Sequence, residues 1–123
     1  MTHHLDAVAH IDQAMRECID TCSDCHDVCV ATVEHCLSRG GEHAAAEHIR
    51  TLLDCAQSCD VSRDFMLRGS DLHHEYCRAC AAACGRCARS CEQLAGDDEV
   101  MRQCAEMCRE CAESCRAMAG TTA

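Results

Sequence analysis

The stretch CRACAAACGRCARSC, residues 77–91, decides the fold of this chain, because its five cysteines recur at intervals of three and four residues. An α-helix turns once in about 3.6 residues, so this spacing places all of these thiols on one face of a helix. Alanine and arginine fill most of the intervening positions, and both favour helices. The stretch therefore predicts a helix with a stripe of sulfur along its inward face.

Three other segments repeat the spacing, and the four segments together hold all sixteen cysteines. Such stripes are typical of side chains that face the interior of a helical bundle. Cys36 stands apart, seven residues after Cys29 with Thr32 in the gap. The candidate metal ligands are Cys18, Cys22, Cys25, Cys29, Cys36, Cys55, Cys59, Cys77, Cys80, Cys84, Cys87, Cys91, Cys104, Cys108, Cys111 and Cys115.

Glycines mark the boundaries between the segments, and the chain contains no proline. Signals that end one helix and begin the next coincide at Gly40-Gly41, Gly69-Ser70 and Gly96-Asp97, with Asp97 as the expected cap of the last helix. They predict four helices, at about residues 5–38, 43–68, 71–95 and 97–118. Short connections make neighbouring helices antiparallel. We therefore expect an all-α protein, an antiparallel four-helix bundle with a cysteine-lined core, as a single domain over residues 1–123.

Folding the four stripes about these turns also predicts which cysteines share a level of the bundle. One predicted level consists of Cys22, Cys59, Cys80 and Cys115. The next consists of Cys25, Cys55, Cys84 and Cys111. The core then becomes a tube of thiols that is closed at each end by softer or apolar side chains.

The charge balance and the start of the chain exclude several functions. A net charge of −10 and the absence of lysine argue against partners such as nucleic acids or anionic membranes. No apolar run is long enough to span a bilayer. The opening MTHHLDAV lacks the basic and apolar regions of an export signal, so we expect a cytoplasmic protein. Thiols stay reduced in that compartment.

Reduced cysteines at this density indicate metal binding. Each Cys-x3-Cys pair places two sulfurs one helical turn apart, with Cβ atoms about 5–6 Å from each other. Thiolates are soft ligands that select copper(I), zinc or iron–sulfur clusters. Sixteen buried thiolates cannot all keep their charge, and bridging thiolates shared between copper(I) ions remove that penalty. The expected cargo is about 15 to 20 copper(I) ions per chain, a number that indicates storage without catalysis.

Other interpretations of the cysteines stay open. A zinc-thiolate binding or detoxification protein needs only isolated four-cysteine sites, which leave the continuous stripes unexplained. An iron–sulfur or thiol redox protein is compatible with Cys-x2-Cys pairs such as Cys22/Cys25, although no strand or lone activated pair accompanies them. A disulfide-linked twin Cys-x9-Cys hairpin lacks its second pair, because only Cys77 and Cys87 have that spacing.

Histidines and methionines continue the stripes at both ends of the predicted tube. His48 and Met101 lie near Cys36 and Thr32, so this end offers soft or imidazole ligands that lead to the four-sulfur levels. We therefore expect copper to enter at this end. A copper chaperone or a small-molecule thiol is the expected partner that fills or empties the store. The opposite end has an apolar plug with residues such as Phe65, and its rival accessory ligands are His73, Met15, Met66 and Met118.

The whole pattern resembles one known family, the bacterial copper storage proteins, and in particular their cytosolic type. The resemblance is carried by four cysteine-lined helical segments, repeated Cys-x3-Cys and Cys-x2-Cys motifs and the missing signal peptide, and it covers essentially the whole chain. It implies a four-helix bundle that assembles into a homotetramer. It also implies that inward cysteines hold copper(I) and that the protein catalyses no reaction.

Overall fold

The computed structural model describes residues 3–120 of the chain. The ends of the predicted domain, residues 1–2 and 121–123, lie outside the described residues. Within them the chain forms four long helices and two short 3₁₀ helices, His3–Leu5 and Gly41–Ala44. The long helices are α1 (Gln13–Arg39), α2 (Ala46–Leu67), α3 (His73–Ala95) and α4 (Glu99–Gly120).

The predicted fold class is confirmed, since the four helices pack as an antiparallel bundle around the cysteines. Each helix packs against the next one along the chain, and α1 also packs against α4, which closes the bundle. None of the described helices combines the length and the apolar character that a membrane span requires.

The predicted start of the first helix, at residue 5, is wrong, because α1 begins at Gln13. Asp12 has an extended backbone, and its Oδ1 accepts a hydrogen bond of 2.9 Å from the Met15 backbone N–H. A side chain that caps a helix in this way satisfies an otherwise unpaired N–H and fixes the first turn. Apolar residues before Asp12, such as Ile11, pack inward at helical spacing without being helical, and this spacing led to the wrong boundary.

The expected cap of the last helix is also wrong by one residue. Asp98, not Asp97, precedes α4, and Asp98 Oδ1 accepts a hydrogen bond of 3.1 Å from the Met101 backbone N–H. Both acids lie between Gly96 and α4, so sequence alone gives no reason to prefer one of them.

All sixteen cysteines are buried, and nearly all have no exposed surface. Between α3 and α4 the cysteines are accompanied by buried alanines that recur every seven residues on both helices. Small side chains let two helices approach closely, and this is the most extensively packed helix pair of the bundle. These alanines are Ala81, Ala88, Ala95, Ala105, Ala112 and Ala119.

The predicted levels of the core are wrong for α4. Cys115, which was expected level with Cys22, lies between Cys18 and Cys22, with sulfur–sulfur distances of 3.9 and 3.5 Å. Cys108 likewise lies between Cys25 and Cys29, at 4.0 and 3.6 Å. Side chains of packed helices interleave, each one entering the space between its neighbours. The α4 sulfurs therefore bridge two predicted levels.

The start of the chain covers one end of the bundle. His10 Nε2 lies 3.1 Å from the Met66 carbonyl oxygen, which it contacts from across the end of α2. Ile11 and Met15 pack against the buried core beneath it. Phe65 stacks on Tyr76 with ring centroids 4.1 Å apart at the same end. These contacts form the apolar closure that the sequence predicted there.

We expect the fully reduced, metal-free chain to be helical. Ile19, Leu52, Met66 and Met101 are fully buried, and neutral thiols behave as small apolar groups, so the core does not need metal to exclude water. A zinc finger, by contrast, unfolds without its ion. Far-ultraviolet circular dichroism of the reduced apo form will show mostly helix. A coil spectrum that becomes helical only on adding copper(I) contradicts this expectation.

Candidate metal centre

The cysteine sulfurs converge into compact groups along the axis of the bundle. Four groups contain four sulfurs and one contains three, and within each group all sulfurs lie within 4.8 Å of one another. In order along the bundle the groups are Cys18/Cys22/Cys115, Cys22/Cys59/Cys80/Cys111, Cys25/Cys55/Cys59/Cys84, Cys25/Cys29/Cys55/Cys108 and Cys29/Cys87/Cys104/Cys108. The spacing is compatible with metal ions bound between sulfurs from different helices.

Neighbouring groups share sulfurs, and this is the main geometric property of the site. Cys25 and Cys55, for example, each belong to two groups, as do Cys22, Cys29, Cys59 and Cys108. Shared sulfurs lie close to the other members of their groups, with 3.4 Å between Cys55 and Cys84 and 3.7 Å between Cys59 and Cys111. The groups therefore form one connected array rather than a set of separate tetrahedra.

One end of the array continues into mixed ligands. Cys36, which belongs to none of the groups found among the described residues, has its Sγ 3.4 Å from His48 Nε2 and 3.3 Å from Met101 Sδ. All three side chains are buried. We call this set, Cys36, His48 and Met101, the mouth. It offers a thiol, an imidazole and a thioether, each of which can bind copper(I).

His48 is oriented for ligation by a residue that the sequence did not suggest. Its Nδ1 lies 2.7 Å from Ser90 Oγ on α3, which leaves Nε2 facing Cys36. A hydrogen bond to one ring nitrogen commonly fixes the orientation of a metal-binding histidine. Burial lowers the pKa of His48 and so favours the neutral ring that a metal requires. Ser90 lies next to Cys91 in sequence, but nothing in the spacing pairs it with α2.

At the other end the array stops at a hydroxyl group. Ser62 occupies a stripe position of α2, is fully buried, and has its Oγ 3.1 Å from Cys77 Sγ. A hydroxyl is a poor ligand for a soft ion, but it can donate a hydrogen bond to a thiolate. Ser62 therefore ends the continuous line of sulfur near Cys77.

The rival accessory residues at this end are less suited to binding metal together. His73 Nδ1 lies 2.8 Å from the Ser70 carbonyl oxygen, and its ring packs against His74 with centroids 4.0 Å apart. Met66 is fully buried beneath the N-terminal segment, and Met15 and Met118 are partly buried against the core. The structure thus brings the methionines to the predicted end but engages His73 in a contact with the turn that precedes α3.

Burial and neighbouring thiols keep the thiols of Cys36 and Cys91 protonated. Burial, with added repulsion from Cys104 and Asp98, raises the pKa of Cys36 to about 11 from the ordinary 9.0. On α3, hydrogen bonds with Cys104 and Cys87, followed by burial, raise the pKa of Cys91. A metal ion that binds these sulfurs must displace their protons.

The stability of the apo protein should therefore fall in alkaline solution. The folded state holds the Cys36 proton more tightly than the unfolded state does, so the stabilisation is complete below pH 9.0 and is lost as pH rises toward about 11. Urea unfolding at pH 7.5, 9 and 10.5, under reducing conditions, will show a falling midpoint. The Cys36→Ser variant should show a smaller fall, and equal falls in both proteins would contradict the assignment to Cys36.

The fold and this array define a class of protein, the helical bundle that binds metal ions through interior thiols. A sequence model of the copper storage protein family matches residues 11–120. The chain belongs to the copper storage protein family. A search of curated proteins found no match.

Solved structures agree with this membership. The Nmul_A1745 protein from Nitrosospira multiformis is 44% identical, with a TM-score of 0.84, over 89% of this chain and 98% of that one. The Cu(I)-bound copper storage protein BsCsp3 is 33% identical, with a TM-score of 0.80, over 87% and 99%. The copper storage protein Ccsp from Streptomyces lividans, loaded with 10 copper equivalents, is 32% identical, with a TM-score of 0.82, over 89% and 87%.

Proposed function

We propose that this chain stores copper(I) in the cytosol on its sixteen inward cysteines. The observation that carries the proposal is the sharing of sulfurs between neighbouring groups of the array. Similar proteins support it, since one is described as Cu(I)-bound and another as a cytosolic copper storage protein. Anaerobic titration with copper(I) against a competing chelator is the experiment that tests it.

Shared sulfurs favour copper(I) over the other soft metals because of charge. When each thiolate bridges two copper(I) ions and each ion binds two thiolates, there is one positive ion for each negative sulfur. A filled array therefore carries little net charge in a medium that solvates charge poorly. Zinc prefers a closed tetrahedron of four ligands, and two zinc ions on the six thiolates of the adjacent groups that share Cys25 and Cys55 would keep a net negative charge in the core. The connected array thus suits many bridged copper(I) ions.

The same geometry argues against the redox interpretation. A redox Cys-x2-Cys pair needs an accessible thiol of lowered pKa. Here Cys22 and Cys25, which have that spacing, are both completely buried. An iron–sulfur protein would be coloured, whereas copper(I) bound to thiolates absorbs only in the ultraviolet. We propose that the protein has no enzymatic activity and that colourless loading accompanies the titration.

We further propose that the mouth is where copper enters and leaves. Its imidazole and thioether can hold the ion until it reaches the first shared group, whereas Ser62 and the N-terminal segment close the other end. A copper chaperone or a small-molecule thiol would exchange the metal there.

A homotetramer is also proposed, supported by side chains such as Val30, Leu37 and Leu53 that are large, apolar and exposed.

A further inference from the structure

The mouth is closed to solvent in the structure. Cys36 and Met101 have no exposed surface, and His48 is only 4% exposed. A copper ion, or the thiol or chaperone that carries it, cannot touch these ligands until a neighbouring part of the bundle moves aside. Local opening of this kind sets the rate of entry into many buried sites.

A single carboxylate fastens the elements that surround the mouth. Asp98 Oδ1 accepts the hydrogen bond from the Met101 backbone N–H, at the start of α4. Asp98 Oδ2 accepts hydrogen bonds from His35 Nε2 at 2.7 Å and from Arg39 Nη1 at 2.9 Å, both on α1. His43 Nε2, from the 3₁₀ helix between α1 and α2, approaches the same oxygen at 4.0 Å. Asp98 thus connects α4 to α1 and reaches toward the intervening loop.

Burial makes these contacts strong, and the glycines that flank them add no packing of their own. The Asp98 side chain is only 4% exposed, and buried hydrogen bonds to charged partners are stronger than exposed ones. Gly40, Gly41 and Gly96, which flank the contacts, have positive φ angles, and a Cβ added at any of them would meet nothing within 4 Å. These glycines therefore contribute no side-chain packing at the connections, and the hydrogen bonds of Asp98 hold α4 to α1 beside them.

We propose that Asp98, with His35 and Arg39, is a latch that must open before copper passes the mouth. The proposal rests on the proposed function, since it concerns the rate at which the store fills and empties. A latch changes the barrier between the inside and the outside without changing either state. Breaking it should therefore speed uptake and removal by the same factor and leave the number of bound ions unchanged.

The matched test compares two Asp→Asn substitutions. Asp98→Asn keeps an oxygen that caps α4 but loses the charge that holds Arg39 and His35. Asp12→Asn does the same to the cap of α1 at the far end, and it changes the net charge equally. Copper(I) supplied as a glutathione complex should load Asp98→Asn about tenfold faster than wild type, and bathocuproine disulfonate should unload it faster by the same factor. Asp12→Asn should match wild type.

A second variant and a copper-free measurement separate the latch from the storage function. Arg39→Ala removes one exposed partner while leaving Asp98 and its cap intact, and it should give a smaller acceleration that does not add to that of Asp98→Asn. In the apo protein, iodoacetamide should modify Cys36 faster in Asp98→Asn, with Cys77 unchanged. Cys36 labelling and copper exchange rates equal to those of Asp12→Asn, or slower exchange, would overturn the latch. Failure of wild type to bind many ions would instead overturn storage.

Discussion

Anaerobic titration of the reduced chain with copper(I) will saturate at about 15 to 20 ions per chain. The expectation follows from the connected array, in which neighbouring groups share sulfurs and about one ion per thiolate keeps the buried charge small. Native mass spectrometry under competition from a chelator counts the ions directly. Saturation at four or fewer tightly bound ions would reduce the array to isolated sites and remove storage as the function.

Two double variants test whether the shared sulfurs carry this capacity. Cys25→Ser/Cys55→Ser removes sulfurs that each belong to two groups, whereas Cys36→Ser/Cys91→Ser removes sulfurs that belong to none of those found among the described residues. The same number of thiols is lost in both. The first variant should lose about four ions and the second about two, because each bridging sulfur contributes to two sites. Equal losses would show that the thiols bind copper independently.

Replacing the two accessory ligands of the mouth should slow exchange strongly and barely change capacity. His48→Ala/Met101→Leu keeps Cys36 but removes the imidazole and thioether that would hold copper before it reaches the array. We expect uptake and removal about tenfold slower or more, which corresponds to a barrier raised by about 1.4 kcal/mol or more for the loss of both ligands together. Stopped-flow absorbance in the ultraviolet with a chelator measures both rates.

The matched control is His73→Ala/Met118→Leu at the opposite end, where the N-terminal segment covers the bundle. It should leave both rates unchanged. If it slows exchange while His48→Ala/Met101→Leu does not, copper enters at the N-terminal end. The effect expected for the mouth ligands is opposite in sign to that of Asp98→Asn, so the two experiments distinguish a ligand that passes the ion from a contact that blocks it.

The fold was predictable because every determinant of it is local and periodic. Cysteines at intervals of three and four, as in residues 77–91, specify both a helix and its buried face. The start of α1 was not predictable from the stripe, because an inward residue such as Ile11 packs on the core from an irregular segment as well as from a helix. The capping hydrogen bond of Asp12 decides that boundary.

The burial of the candidate ligands was predictable, but their arrangement was not. Burial of every cysteine follows from the stripes, whereas the position of Cys115 between Cys18 and Cys22 depends on the axial offset of α4 relative to α1. Spacing within a helix carries no information about that translation. Ser90 and Asp98 were missed for a related reason, since each acts through a partner distant in sequence, His48 or Arg39.

The closeness of the sulfurs has a consequence for the life of the empty protein. Thiols on different helices already lie close together, with 3.5 Å between the sulfurs of Cys22 and Cys115 and 3.4 Å between those of Cys55 and Cys84. An oxidant that reached them could therefore form disulfides between helices with little movement of the backbone. Copper bound to the same sulfurs occupies the electron pairs that an oxidant would attack. Bound copper thus protects the thiols from oxidation, whereas the metal-free protein depends on the reductants around it.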